Sequence, residues 1–272
     1  MINKILFLQE LSAGDVVMTT GTIRGLKEKY PDSIIDYMTS QQYANILEDN
    51  SDIDKIINWG SAINQNDYDL ILWPHHKIRN AAFGRQDVHL ADIYARLCGV
   101  ERRDLYVNPD DSYQIDLPKN FITVHTTSHP MKNYDRFNEV VELLKDDIDI
   151  VQIGGKDDIA INATKTIINL CGKLTYRQTA FIIKKSKLHI GIDSCCGHIA
   201  SAVNKLSIIL FGGTGARVVR PISNNIAIEP DYLMHCSILS PCYGIAPWPC
   251  NNKCINTIDP NILVENIRRN IK

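Results

Sequence analysis

Several clusters of polar side chains in this 272-residue sequence fall where a short apolar run gives way to a helix-like stretch. Open parallel sheets bind ligands at such junctions, beyond the carboxyl ends of their strands. The first cluster is Ser12-Ala-Gly-Asp15. Gly14 permits a sharp turn, and Asp15 opens the next helix either as a cap or as an ionised carboxylate that can accept a proton. The second is Asp193-Ser-Cys-Cys-Gly-His198, just after an apolar run. The following helix offers free N–H groups and the positive end of its dipole, an anion site suited to a diphosphate. The competing account is a capping aspartate and a packed histidine. The third is Phe211-Gly-Gly-Thr-Gly215-Ala-Arg217, whose glycines allow a ligand close to the backbone. It is neither a dinucleotide fingerprint nor a P-loop, because the third glycine of the one and the Gly-Lys-Ser/Thr of the other are missing. This disfavours a nicotinamide oxidoreductase. The fourth, His125-Thr-Thr-Ser-His-Pro-Met-Lys132, offers hydroxyls and an ammonium for phosphate oxygens, or is a solvated loop.

Two further groups stand apart. Trp73-Pro-His-His-Lys77-Ile-Arg79 with Arg85 is a local basic patch. It reads as a solvated loop or as a clamp for an anionic acceptor through Lys77, Arg79 and Arg85. Cys236, Cys242, Cys250 and Cys254 crowd together among prolines. Four thiolates suffice for a structural zinc or iron, although the spacing is not that of a zinc ribbon. Buried thiols or a disulfide are the alternatives.

The elements that must position these groups alternate. Apolar runs at 2–9, 33–39, 53–59 and 69–73 predict strands, with helices at 15–29, 41–48 and 88–98. The segment 107–120 carries two prolines and several acidic or amide turn formers, and reads as a linker. The pattern then restarts, with strands at 121–125, 149–153, 188–192 and 207–211, and helices at 136–145, 175–185, 196–203 and 261–271. This predicts an α/β fold of two Rossmann-like, doubly wound domains facing a cleft. The expected divisions are 1–112, 113–258, and a closing helix in 259–272 that crosses back to the first domain.

Composition fits an ordinary globular chain, with 44% hydrophobic and 22% charged residues. A formal net charge of -2 gives no polyanion-binding signature, so no nucleic-acid partner is expected. No apolar run approaches the ~18 residues of a membrane span. The apolar start is too short for a signal peptide and meets Glu10 and Asp15. A cytoplasmic protein with at most peripheral contact at the inner membrane face is expected.

Together the clusters resemble glycosyltransferase family 9, the heptosyltransferases of GT-B architecture. The resemblance runs through Gly14-Asp-Val-Val-Met-Thr-Thr-Gly-Thr-Ile-Arg24 and Leu26-Lys-Glu-Lys-Tyr-Pro-Asp32, then His125-Thr-Thr-Ser128 with Lys132. It continues through Gln152-Ile-Gly-Gly155, Asp193-Ser194, His198-Ile-Ala-Ser-Ala202, and Leu210-Phe-Gly212 with Thr214. It implies inverting sugar transfer, most often from ADP-heptose, to a hydroxyl of a lipopolysaccharide-type glycan, a lipid or a protein in a bacterium. It puts the catalytic base at Asp15. Donor contacts fall at Thr127, Ser128, Lys132, Asp193, Ser194, His198, Gly212 and Thr214. It implies no metal in the chemistry; some protein-directed members carry a cysteine-bound iron. The sequence departs from the family where Cys195 replaces a glycine and Gly213 a proline. A non-catalytic sugar-nucleotide-binding or scaffolding protein of the same fold is the alternative.

Overall fold

The computed structural model describes residues 2–79, 88–164, 167–231 and 253–272, apart from the side chains at 77–79, 131 and 253. The chain divides into two compact units, Met1–Asn108 and Pro109–Lys272. The division falls inside the proline-bearing segment 107–120.

The first unit holds a four-stranded sheet of β1 (Lys4–Leu8), β2 (Ile34–Thr39), β3 (Lys55–Asn58) and β4 (Leu70–Leu72). All its pairings are parallel and the order is β3-β2-β1-β4. Ile5, Leu6 and Phe7 on β1 are fully buried, as expected for a central parallel strand covered on both faces. Helix α1 (Ala13–Lys29) follows β1, α2 (Pro74–Arg79) follows β4, and α3 (Leu90–Leu97) packs beside α1. The stretch 41–48, expected as an α-helix, forms only a short 3₁₀ helix at Gln41–Ile46.

Helix α1 is buried almost all round from Val16 to Leu26, which explains its weak amphipathic pattern. Its threonines satisfy their hydroxyls locally: Thr19 donates to the Val16 carbonyl at 3.0 Å and Thr20 to the Val17 carbonyl at 2.7 Å. Gly21 and Gly25 let the segment after α3 lie directly on the helix. A Cβ on Gly21 would stand 2.4 Å from the Arg103 carbonyl oxygen, and one on Gly25 2.3 Å from that of Glu101.

The second unit holds β5 (Phe121–His125), β6 (Asp149–Gln152), β7 (Ile168–Asn169), β8 (His189–Ile192), β9 (Ser207–Leu210) and β10 (Asn225–Ile228). Its sheet is parallel throughout, in the order β10-β9-β8-β5-β6-β7. Counted within the unit, this is the 3-2-1-4-5-6 order of the Rossmann fold. Helices α4 (Phe137–Leu143), α5 (Tyr176–Lys185), α6 (Cys195–Ala202), α7 (Ala216–Val219), α8 (Lys253–Asn256) and α9 (Pro260–Asn270) complete the described part. Thr175 and Gln178 form a reciprocal capping box at the start of α5.

The closing helix α9 belongs to this unit. Its apolar stripe of Leu263, Val264 and Ile267 is buried in the same core as Phe137, Val140 and Val141 of α4. Arg268 fixes its end, 2.9 Å from Asp147. The apolar stripe of α9 is thus covered by α4 of the same unit. Among the described residues no helix is long and apolar enough to cross a membrane.

Candidate functional site

Each sheet has one point where the strand order reverses direction, and there neighbouring loops diverge and leave a crevice. In the second unit that point lies between β5 and β8. The loops leaving β5, β8 and β9 carry Lys132, Asp193 and Thr214, and one carboxylate oxygen joins all three. Lys132 Nζ is 2.7 Å from Asp193 Oδ2, and the Thr214 hydroxyl donates to the same oxygen at 2.7 Å. Burial by itself would raise the Asp193 carboxyl. The Lys132 ammonium, the Thr214 hydroxyl and nearby His198 outweigh it and hold the group below the ordinary carboxylate value.

The residues around this pair are bound into the scaffold. Ser194 precedes α6 in extended conformation without capping it through its side chain. Its hydroxyl instead meets His125 Nδ1 at 2.7 Å. The opposite ring nitrogen of His125 lies 3.0 Å from Asp158 Oδ2. His198 is buried on α6, one turn on. Thr127 accepts a hydrogen bond from the Ile159 amide at 2.8 Å, and the Ser128 amide donates to Asn133 Oδ1 at 2.9 Å. Gln152, at the end of β6, donates to the Ile159 carbonyl at 2.7 Å and accepts from the Ile161 amide at 2.9 Å. It thereby anchors the loop that carries Asp158. Gly212 is needed for packing, since a Cβ there would stand 2.9 Å from Ile255 Cβ. Cys195 is the first residue of α6; a hydrogen bond from Cys196 lowers its thiol below the ordinary value.

In the first unit the order reverses between β1 and β4. Asp15 lies in the first turn of α1, just past β1. Its Oδ1 accepts the hydroxyl of Tyr94 on α3 at 2.8 Å. Lys77 and Arg79 belong to α2, directly past β4. Their side chains and the whole of Arg85 lie outside the description, as do Cys236, Cys242 and Cys250. Cys254 is buried on α8. Among the described residues no group of three or more histidine, cysteine or acidic side chains could hold a metal.

Comparison with known proteins bears directly on this arrangement. The profile of Glycosyltransferase family 9 (heptosyltransferase) matches residues 102–231, which include every residue of the β5/β8 cluster. Lipopolysaccharide heptosyltransferase 3 of Escherichia coli (strain K12) is 28% identical over 293 residues, covering 78% of this chain and 83% of that protein. Residues 102–231 are thus similar to family 9 glycosyltransferases, and most of the chain is similar to a lipopolysaccharide heptosyltransferase.

Solved structures agree on the fold. The glycosyl transferase family 9 from Veillonella parvula DSM 2008 superposes with a TM-score of 0.77 at 18% identity, covering 99% of this chain and 97% of that one. E. coli ADP-heptose lps heptosyltransferase II gives 0.73 at 15% identity, with 98% of both chains covered. The dodecameric iron-containing heptosyltransferase TibC, solved in complex with ADP-D-beta-D-heptose, gives 0.78 at 12% identity, covering 100% of this chain and 77% of that one. The chain thus has the GT-B fold.

Sequence reasoning did not single out His125, Gln152 or Asp158 by role, nor Tyr94. His125 and Gln152 sit inside quoted motifs at strand ends, a signal that was available. Tyr94 reads as one more apolar position on an amphipathic helix.

The buried pair generates a prediction. Removing one partner of such a pair leaves an uncompensated charge, at a cost of roughly 3–5 kcal/mol. Lys132→Met should lower unfolding free energy by about that amount at pH 7 in urea titrations. Asp193 has a depressed folded value, so its contribution is present above the unfolded pKa and lost as pH falls through the folded one. The gap between wild type and Lys132→Met should therefore shrink as pH falls below about 4. A gap independent of pH would show that the pair does not carry this stability.

Proposed function

We propose that this transferase moves a heptose from ADP-heptose to a hydroxyl of a lipopolysaccharide-type glycan, with inversion at the anomeric carbon. The observation that carries the donor half is the joining of Lys132, Asp193 and Thr214 beside the N-terminus of α6, at the strand-order reversal of a Rossmann sheet. The 28% identical lipopolysaccharide heptosyltransferase supports the sugar and the acceptor class. The diphosphate would lie against the first N–H groups of α6, where backbone donors and the helix dipole favour anions. Thr127, Ser128, Ser194, His198 and Gly212 would frame it. Lys132 would oppose the charge that grows on the leaving diphosphate, a contribution made chiefly in the transition state.

The acceptor hydroxyl must lose a proton as it attacks. Asp15 would take it, and Lys77, Arg79 and Arg85 would hold an anionic acceptor. On this reading residues 1–112 serve the acceptor and 113–258 the donor. The enzyme would work in the cytoplasm, at most peripherally attached to the inner membrane face. Asp15→Asn keeps size and polarity and removes the base. It should leave ADP-heptose binding within a few-fold while turnover falls roughly 10²–10⁴-fold. A variant that melts early yet keeps its specific activity would make Asp15 a helix cap and no more.

The chemistry of Cys236, Cys242, Cys250 and Cys254 also fits one structural zinc or iron, since four thiolates complete a tetrahedral shell. Elemental analysis of purified protein should then find about one metal per chain, lost together in Cys254→Ser. A metal content well below one per chain would leave the four as plain thiols or disulfides.

A further inference from the structure

The mechanism proposed above uses Asp15 and leaves its surroundings unexplained. Three elements of the first unit converge on it. Tyr94 of α3 is fully buried, yet its hydroxyl reaches the Asp15 carboxylate at 2.8 Å. On its other side the same hydroxyl oxygen lies 3.1 Å from Nδ1 of His75, in the first turn of α2. Tyr37 of β2, the second buried phenol nearby, is engaged elsewhere, with Thr19 at 2.7 Å. Glu10, past β1, is held by the Trp73 indole N–H at 2.7 Å. Cys98, at the end of α3, is buried.

A phenol has one proton to give. If it goes to Asp15, the phenol oxygen is left to accept, so His75 must present an N–H at Nδ1. If His75 instead carried its proton on Nε2, its bare Nδ1 would compete with Asp15 for the phenol proton. The tautomer of His75 therefore decides whether the carboxylate keeps its donor.

We propose that Tyr94, oriented by His75, is the positioning residue for Asp15: it aims the carboxylate and holds it ionised. The proposal rests on Asp15 being the base only for its catalytic consequence; the pairing stands by itself. Burial and the Asp15 charge push the Tyr94 phenol well above its ordinary value, so it remains a donor throughout the working range. A buried hydroxyl given to a carboxylate favours the charged form. It also costs conformational freedom only once, because Tyr94 is already fixed by packing. His75 sits one residue past Pro74 and two past Trp73, so the segment leaving β4 sets the state of the carboxylate at the end of β1.

The test follows the carboxylate itself. The full chain, labelled with ¹³C at aspartate carboxyls, is titrated by NMR, with the Asp15 signal assigned by its loss in Asp15→Asn. Tyr94→Phe keeps the ring and removes the donor. It should raise the Asp15 midpoint by about one pH unit. His75→Ala should raise it less, and should add nothing once Tyr94→Phe is present. His75→Asn, which keeps an N–H donor near the Nδ1 position, should restore the wild-type midpoint. An unmoved midpoint in folded Tyr94→Phe overturns the proposal. If Tyr94→Phe fails to fold, equal midpoints in His75→Ala and wild type overturn it instead. Turnover of ADP-heptose separates the two readings. If the NMR midpoint moves and the acid limb of the rate profile moves with it, both stand. If the midpoint moves and Asp15→Asn keeps full turnover, Tyr94 still positions Asp15, but Asp15 is not the base.

Discussion

The pairing of Lys132 with Asp193 is the constraint around which the second unit is organised. A charge taken out of water must be matched or neutralised, because its desolvation costs several kcal/mol. Asp193 is matched three ways, by an ammonium from the loop after β5, a hydroxyl from the loop after β9, and His198 on its own helix. Loops that would otherwise splay apart at the strand-order reversal are thus tied at one oxygen. On the proposed reading, Lys132 is already held in place by a carboxylate and would not have to be drawn from solvent when a donor binds. Preorganised charge of this kind lowers a barrier without reorganisation at the moment of reaction.

The two units share one design and use it differently. Each places a helix start just past a central buried strand, at the reversal of strand order. At α6 the capping position is held by Ser194, whose hydroxyl turns to His125, so the helix start is not closed by its own side-chain cap. At α1 the first turn carries a carboxylate, which alters what the site can attract. On the proposed reading, an anion-binding end and a proton-accepting end would follow from the same local geometry with different residues. Among the neighbours of β5, His125 contacts Ser194 and Asp158 together, so the loop after β6 bears on the start of α6 through one imidazole.

Much of this was legible in the sequence. The strand Phe121–His125 ends where its apolar run ends, and the polar clusters do fall past β1, β5, β8 and β9. Short buried parallel strands are apolar throughout and bounded by turns, which makes them readable. Other features lacked a local signal. Strand β7 is two residues long and β10 is only partly buried, so neither carries a distinct run. The 3₁₀ turn at Gln41–Ile46 has a helical composition but buries only Ile46, too little apolar contact to extend it. The amphipathic stripe of the closing helix says that it packs, not on what. The Lys132–Asp193 and Tyr94–Asp15 contacts join residues remote in sequence. Only the folded sheet order brings them together.

The account turns on where the nucleotide diphosphate sits, and a crystal structure of the transferase with bound ADP-heptose tests this directly. The diphosphate oxygens should lie about 3 Å from the first N–H groups of α6 and from Lys132 Nζ. Asp193 should remain within hydrogen-bond distance of Lys132 and Thr214. A nucleotide bound elsewhere, with the Lys132–Asp193 pair untouched and the start of α6 facing no phosphate, would contradict the account.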